Sequence, residues 1–300
     1  MNHWLNSTPV RFAILMFGVL CGSTAVLMIK AGSEHPMLVA AYRLFVAALV
    51  LTPFFLRELP AYPGKYGWKQ LGWVALPAFM LAVHFITWII GARMTQVANA
   101  SMIVNLTPVA MPFFLMLFYR EKIGRQEVVG TLFTLAGLLA LTGSNIRLSK
   151  DTALGDGVCI VSMLTFAAYM ALGRKNGGRL GLWLYMVPLY WIAGLLCLLC
   201  AVFFVNPIKT YDLRNVLLIL GLGIIPTVFG HTILNYSLKF FRGQVVSVAN
   251  LGQPFFAGIA AYFLFKEEPR PMFFVAAALM MTGILIVLQA NWKKREAQKA

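Results

Sequence analysis

Asn105 to Leu141 reads NLTPVAMPFFLMLFYREKIGRQEVVGTLFTLAGLLAL, and Asn250 to Leu288 reads NLGQPFFAGIAAYFLFKEEPRPMFFVAAALMMTGILIVL. Pro108, Glu121 and Gly137 of the first stretch return as Pro254, Glu267 and Gly283 of the second, each 146 positions later in a chain of 300 residues. Between each Pro and its Glu lies a charge-poor apolar run, closing as FFLMLFYRE in one copy and IAAYFLFKE in the other. A duplicated set of apolar helices with a proline in the same helix of each copy is how many membrane carriers are built.

The rest of the chain agrees with a bilayer setting. Apolar residues make up 60% and charged residues 12%, with a mean hydropathy of +0.78. Soluble domains carry roughly 45–50% apolar and about 25% charged residues, so in water this chain would expose apolar surface it has no means to cover. The net charge of +15 does not point to nucleic acid, because the bases lie between apolar runs rather than on one domain. Lys and Arg in short loops are a topological signal, and anionic lipid is their partner. Cys21, Cys159, Cys197 and Cys200 all lie inside apolar runs and read as small packing residues, the CLLC at 197–200 included.

A bilayer core of about 30 Å takes about 20 helical residues to cross. Ten runs meet that length, near 11–31, 37–57, 70–92, 96–118, 127–146, 157–175, 181–205, 214–238, 244–265 and 271–292. Helices are expected throughout, since unpaired backbone groups are prohibitive in lipid and strand-type alternation is absent. With the N-terminus inside, the cytoplasmic loops hold the larger share of the Lys and Arg, including Arg120, Lys122, Arg174, Lys175, Lys239 and Arg242. Both termini are therefore expected in the cytoplasm, in a multi-pass protein of a bacterial inner membrane. Five helices per copy is an odd number, so the two copies must insert with opposite orientation, as an inverted repeat. The expected fold is all-α, ten transmembrane helices in two inverted five-helix repeats. The first repeat covers 1–147 and the second 148–292, joined by a linker near Arg147 to Asp156, with a basic cytoplasmic tail at 293–300.

No Asp or Glu falls in the middle of a run, which argues against sodium or proton coupling through a buried carboxylate. There is no GxxxxGK[ST] for nucleotide hydrolysis and no HExxH or paired carboxylates for an intramembrane enzyme. The sequence implies no catalytic residue, metal or cofactor. What the spans hold is polar and mostly neutral. His84 in the third run follows Pro77, and His231 in the eighth follows Pro226. Trp88 and Asn235 lie one turn beyond each His, with Tyr236 adjacent, so each helix offers a polar-aromatic stripe. Such a stripe either faces a polar chamber or bonds a neighbouring helix. Asn105 and Thr107 precede Pro108, and Asn250 and Gln253 precede Pro254. A proline frees the carbonyl one turn back, which beside an amide can bind a polar solute. The two prolines are also candidate hinges for alternating access. Gly130 and Gly137, matched by Ala276 and Gly283, form smooth ridges for close helix approach, a scaffold or a homodimer face through helices 5 and 10. Arg43, near the outer end of the second run, is expected to snorkel to the interface, or else to attract anionic or zwitterionic solutes. Glu121 and Glu267, closing the fourth and ninth runs, read as interfacial salt-bridge or gate partners.

The two quoted stretches, together with Gly22-Ser23 and Arg43, resemble the EamA repeat of the drug/metabolite transporter superfamily. The resemblance covers essentially the whole chain. It implies a central cavity lined by helices 1, 3, 4, 6, 8 and 9, with helices 5 and 10 peripheral. It also implies export of amino acids or related metabolites, with a drug or nucleotide-sugar carrier as the alternative. A lipid-handling or scaffold subunit with no solute cycle is a further alternative. By position it places Ser23, Thr165 and Tyr169 on cavity-lining helices, beside the His, Trp, Asn and Gln residues already named. Where the family commonly has Trp before the Gly-Ser, this chain has Cys21, so an aromatic wall is lost there. The implied partners are a small-molecule substrate and membrane lipid.

Overall fold

The computed structural model describes residues 8–95, 97–142, 150–257, 259 and 271–297. Among these the secondary structure is helical, with no strand. Eight helices are long and apolar enough to cross a membrane. We number the helices by the ten expected runs. α1 is Thr8–Ser23 continued as Ala25–Ala31, α2 is Pro36–Glu58, α3 is Trp68–Met94, and α4 is Val97–Asn105 continued as Thr107–Tyr119. α5 is Arg125–Thr142, α6 Lys150–Gly177, α7 Leu182–Ala201 and α8 Leu213–Ser237. α9 is Gly243–Asn250 with a further segment at 253–257, and α10 is Pro271–Ala297. α5 and α9 are the two not counted among the eight, and the later parts of both expected runs fall outside the described residues.

Two boundaries differ from the sequence expectation. Residues 150–156, expected as linker, form the first two turns of α6, and 293–297, expected as tail, continue α10. At 293–297 helix continues because no Pro or Gly stops it, and at 150–156 Gly155 is held in the helix by close packing on Met94 of α3. The junction at 147–148, Glu267 and residues 298–300 lie outside the described residues.

The packing repeats under exchange of the halves. α1 packs on α8 as α6 packs on α3, α2 touches α8 as α7 touches α3, and α4 meets α6 as α9 meets α1. The pairs α2–α7 and α5–α10 map onto themselves. That is the contact pattern of a two-fold relating two five-helix units. Large apolar side chains such as Leu49, Phe113, Leu132, Leu199 and Phe274 are exposed on the outer faces, where lipid is their solvent.

The two ridges of small residues face each other inside one chain. A Cβ on Gly130 would stand 2.6 Å from the Gly283 carbonyl oxygen, and one on Gly137 would stand 2.8 Å from the Ala276 oxygen. The ridges are therefore consumed by the α5–α10 contact. Any pairing of two chains through these helices is left to their outer faces.

Prolines inside the bundle are tolerated because side chains fill the carbonyls they free. Pro77 cannot donate to Trp73 O, which accepts instead from Asn176 Nδ2 at 2.7 Å. Pro188 leaves Leu184 O to the Tyr66 hydroxyl at 2.8 Å. Pro226 leaves Leu222 O to Thr227 Oγ1 at 2.7 Å. In α4, Pro108 leaves Val104 O to Thr107 Oγ1 at 2.7 Å, and Pro112 leaves Pro108 O to Gln244 Nε2 of α9 at 3.2 Å. The freed carbonyls of α4 are thus satisfied internally, and the expectation that they wait for a solute is corrected.

This pairing is testable by a double-mutant cycle. Asn176→Leu should cost about 1–3 kcal/mol, the penalty of a buried carbonyl left unfilled. In a Pro77→Ala background, where the helix supplies its own N–H to Trp73 O, the same change should cost less than half as much. Thermal unfolding in detergent reads both values, and equal costs in the two backgrounds would show that the bond is incidental.

Candidate functional site

The middle of the bundle is irregular where most transmembrane helices are straight. α1 breaks at Thr24, α4 at Leu106 and α9 at Leu251–Gly252. The last two breaks sit at equivalent places in the two repeats, two or three residues ahead of Pro108 and Pro254. α8 contains a π-helical stretch, Gly223–His231. π segments and broken helices expose backbone and re-aim side chains, and they recur at functional sites. α3, the repeat partner of α8, remains regular through Pro77, so the two histidine helices are not copies in detail.

These irregular segments surround a cavity of about 60 Å³, room for a few ordered waters. Of the expected residues, His84, Trp88, Asn105, His231, Asn250 and Gln253 line it. Pro254, one of the two expected hinges, lines it as well, whereas Pro108 is buried in packing. His84 is nearly fully buried, with Nδ1 3.0 Å from Ser162 O. Ser162 Oγ lies 2.9 Å from the same nitrogen and donates to His84 O at 3.2 Å, so one residue of α6 holds the histidine by its main chain and its side chain. The His84 ring stacks on Phe166 at 4.7 Å, and His231 lies 6.0 Å from His84 and 4.9 Å from Phe85, centroid to centroid. His231 Nδ1 is buried without a hydrogen-bond partner among the described residues. His84 thus bonds a neighbouring helix and also lines the cavity.

Gln253 enters the cavity because Gly22 has no side chain. A Cβ at Gly22 would stand 2.6 Å from Gln253 Nε2, which donates to Asn250 Oδ1 at 2.7 Å. Asn105 is tied back to Ser101 O at 2.7 Å.

Four expected residues stand elsewhere. Thr107 is spent on the Val104 carbonyl. Tyr236 packs edge-to-face with Phe240, centroids 5.0 Å apart. Tyr169 and Asn235 form a hydrogen bond between the Asn235 amide and the Tyr169 hydroxyl, and Asn235 also donates to His231 O at 2.9 Å. Asn235 lines a second and larger space of about 870 Å³, a vestibule bounded by Tyr119, Glu121, Arg174, Lys239, Arg242 and Asn291 among others. His231 belongs to the cavity and Asn235, one turn on, to the vestibule. The Tyr169–Asn235 pair therefore stands in the wall between the two.

An ion network laces the vestibule. Arg120 adopts φ 55°, a left-handed cap that turns the chain out of α4. Glu121 then pairs with Arg242 and, at 3.5 Å, with Arg174. Arg242 also reaches the fully buried Glu127 at 2.5 Å. Glu121 is thus the salt-bridge partner the sequence allowed, and it ties the first repeat to the second. Burial at this wall pulls the Lys239 ammonium below its ordinary value, with Glu58 opposing.

Arg43 departs most from expectation. It does not snorkel to an interface; it is 1% exposed and lines the cavity. Its Nε and Nη2 donate to Thr227 Oγ1 at 3.0 and 2.9 Å, and its guanidinium lies 4.2 Å over the Phe85 ring. Thr227 belongs to the π stretch, so the irregular turn is what seats the arginine. Ser162, Phe85, Phe166 and Thr227 were not singled out from the sequence, because no spacing rule marks a residue contributed by a facing helix.

The profile of the EamA-like transporter family matches residues 10–143 and again 153–289. An uncharacterized transporter of Archaeoglobus fulgidus is 26% identical over 278 residues, 91% of this chain and 94% of that protein. The uncharacterized transporter YdfC of Bacillus subtilis is 21% identical over 85% of this chain and 83% of its own. A WAT1-related protein of Arabidopsis thaliana is 31% identical over 151 residues, 43% of this chain and 38% of that protein. A crystal structure with 18% sequence identity superposes with a TM-score of 0.78 over 96% of this chain and 99% of the other, which shows a shared fold.

Proposed function

The chain belongs to the EamA-like transporter family, and from that premise we propose that it is a secondary transporter, exporting amino acids or similar small polar metabolites across a bacterial inner membrane by alternating access. The observation that carries this reading is a polar cavity in the middle of the bundle, with a larger vestibule beginning at Asn235, one turn beyond His231 on α8. The cavity is lined from both repeats, by His84 and Asn105 of the first and His231, Asn250 and Gln253 of the second. A solute held there touches both halves, so their rocking changes the side to which it is open. The breaks in α4 and α9 are the places where such motion costs least, because the backbone bonds there include i→i−3 turns such as Leu106 N to Ile103 O and Leu251 N to Val248 O. With the more basic loops in the cytoplasm, the vestibule opens inward and export begins there. Transport is facilitated or proton-linked through the histidines. Among the described residues no Asp or Glu lines the cavity, which disfavours sodium coupling.

The test is efflux from liposomes holding the purified chain and a panel of labelled amino acids. Saturable efflux is expected for at least one of them. Asn235→Ala should raise exchange several-fold by thinning the wall. Absence of saturable flux for the whole panel, with protein shown to be folded and inserted, would overturn amino acids as the cargo.

A further inference from the structure

Among the described residues, Arg43 carries the only cationic side chain on the cavity wall besides the histidines, and no carboxylate lines it. A guanidinium has five N–H donors. Nε and Nη2 spend one each on Thr227 Oγ1. That is the side-on edge of the group. Nη1 is buried and has no partner among the described residues. The end-on edge, one N–H from Nη1 and the second from Nη2, is therefore the fork left over. Such a fork matches a planar carboxylate bidentately. The group is also immobilised, below by Phe85 and at the side by Thr227, so it is preorganised for a partner.

The charge has no counterpart in the other repeat. α7, the mate of α2, is LWLYMVPLYWIAGLLCLLCA and holds no charged residue. A cation buried in a bilayer and lacking a counter-ion is costly and marks a binding site for the opposite charge. A carboxylate entering here makes the pair neutral. A zwitterion leaves one positive charge over, and its ammonium finds only neutral oxygens. We infer that Arg43 is the anchor for a carboxylate-bearing solute, and that the cavity prefers a small organic monoanion to the amino acid of the same skeleton. This rests on the transport reading above and narrows its substrate class.

Two matched sets of probes test it: hydrocinnamate, phenylalanine and phenethylamine, and propionate, alanine and ethylamine. Each is followed as flux in proteoliposomes and as binding to the full chain in detergent. The expected order is monoanion first, zwitterion at least severalfold lower, and amine lowest, tenfold or more below the monoanion. Arg43→Met should lower monoanion flux and binding at least tenfold. Arg43→Lys should keep the charge, lose the fork and fall in between, which controls for folding together with elution profile and melting temperature. Amine carried as well as monoanion, or monoanion handling unchanged in a folded Arg43→Met, overturns the anchor while leaving transport intact. If no probe is carried, the transport reading fails for these solutes and binding decides the anchor. Arg43-dependent binding of hydrocinnamate or propionate sustains it, and no such binding overturns it.

Discussion

Gly283→Leu is expected to leave little folded protein. Gly283 sits where α10 crosses α5, and a Cβ there would meet the backbone nitrogen of Thr134 at 2.6 Å, with the Gly130 carbonyl and the Thr134 hydroxyl closer still. Two of these are backbone atoms, which have no rotamer to escape into, and the Thr134 hydroxyl is tied to Gly130 O at 2.8 Å. Real Cβ atoms do not approach so near, so the helices must separate. Overpacking a well-fitted core costs about 1–3 kcal/mol and occasionally more. Here the insertion also parts Gly130 and Gly137 from their partners along the ridge, so the upper end or beyond is expected for leucine and the lower end for alanine. Net stabilities run only about 5–15 kcal/mol. Gly130→Ala should behave like Gly283→Ala, because each Cβ meets the other residue's backbone. Monodisperse yield and the unfolding temperature in detergent check the series. Wild-type stability in Gly283→Leu would mean that the α5–α10 contact does not hold the peripheral helices.

Arg242→Met should be the most damaging change at the vestibule. Arg242 is 13% exposed and serves Glu121 and Glu127, which are 17% and 0% exposed. Its Nη2 also donates to Lys122 O at 3.0 Å, and its backbone N–H donates to Asn291 Oδ1 at 3.2 Å. Removing one member of a buried ion pair strands the other charge and costs about 3–5 kcal/mol, more than the pair itself contributes. Methionine keeps the length of the stem, so the loss isolates the charge. Adding Glu127→Gln to Arg242→Met should recover a part of the stability, since the stranded carboxylate is gone. A double variant no more stable than the single one would show that the cost lies in packing. Because this network joins Glu121 and Glu127 of the first repeat to Arg174 and Arg242 of the second, both variants should also alter how the vestibule opens.

The chain announced a good deal of its own architecture. The 146-residue echo of Pro108, Glu121 and Gly137, together with runs of spanning length, sufficed for a helical membrane bundle of two repeats. That information is local and periodic, because lipid forces the backbone to bond within each segment and leaves few choices. The polar residues near the repeat prolines were likewise visible, and six of them do meet around one cavity. What each polar group is spent on was not visible. Thr107 caps the carbonyl that Pro108 frees, and Tyr169 and Asn235 bond each other across two helices. Such choices depend on which atoms of distant segments come within about 3 Å, a distance that no spacing rule encodes.

Arg43 shows the division most clearly. From sequence alone, an arginine in an apolar run has two outlets, the interface along its own helix or a partner on another. Composition and periodicity determined that this protein is a duplicated, lipid-embedded helical bundle with a polar stripe near each repeat proline. Only the tertiary structure decided that Arg43 turns inward onto Thr227 and Phe85, because the π turn at Gly223–His231 brings a hydroxyl to it that a regular α8 would present on another face. A hydrogen-bond partner supplied by a neighbouring helix is a property of three-dimensional packing, and burial of the charge follows from that partner.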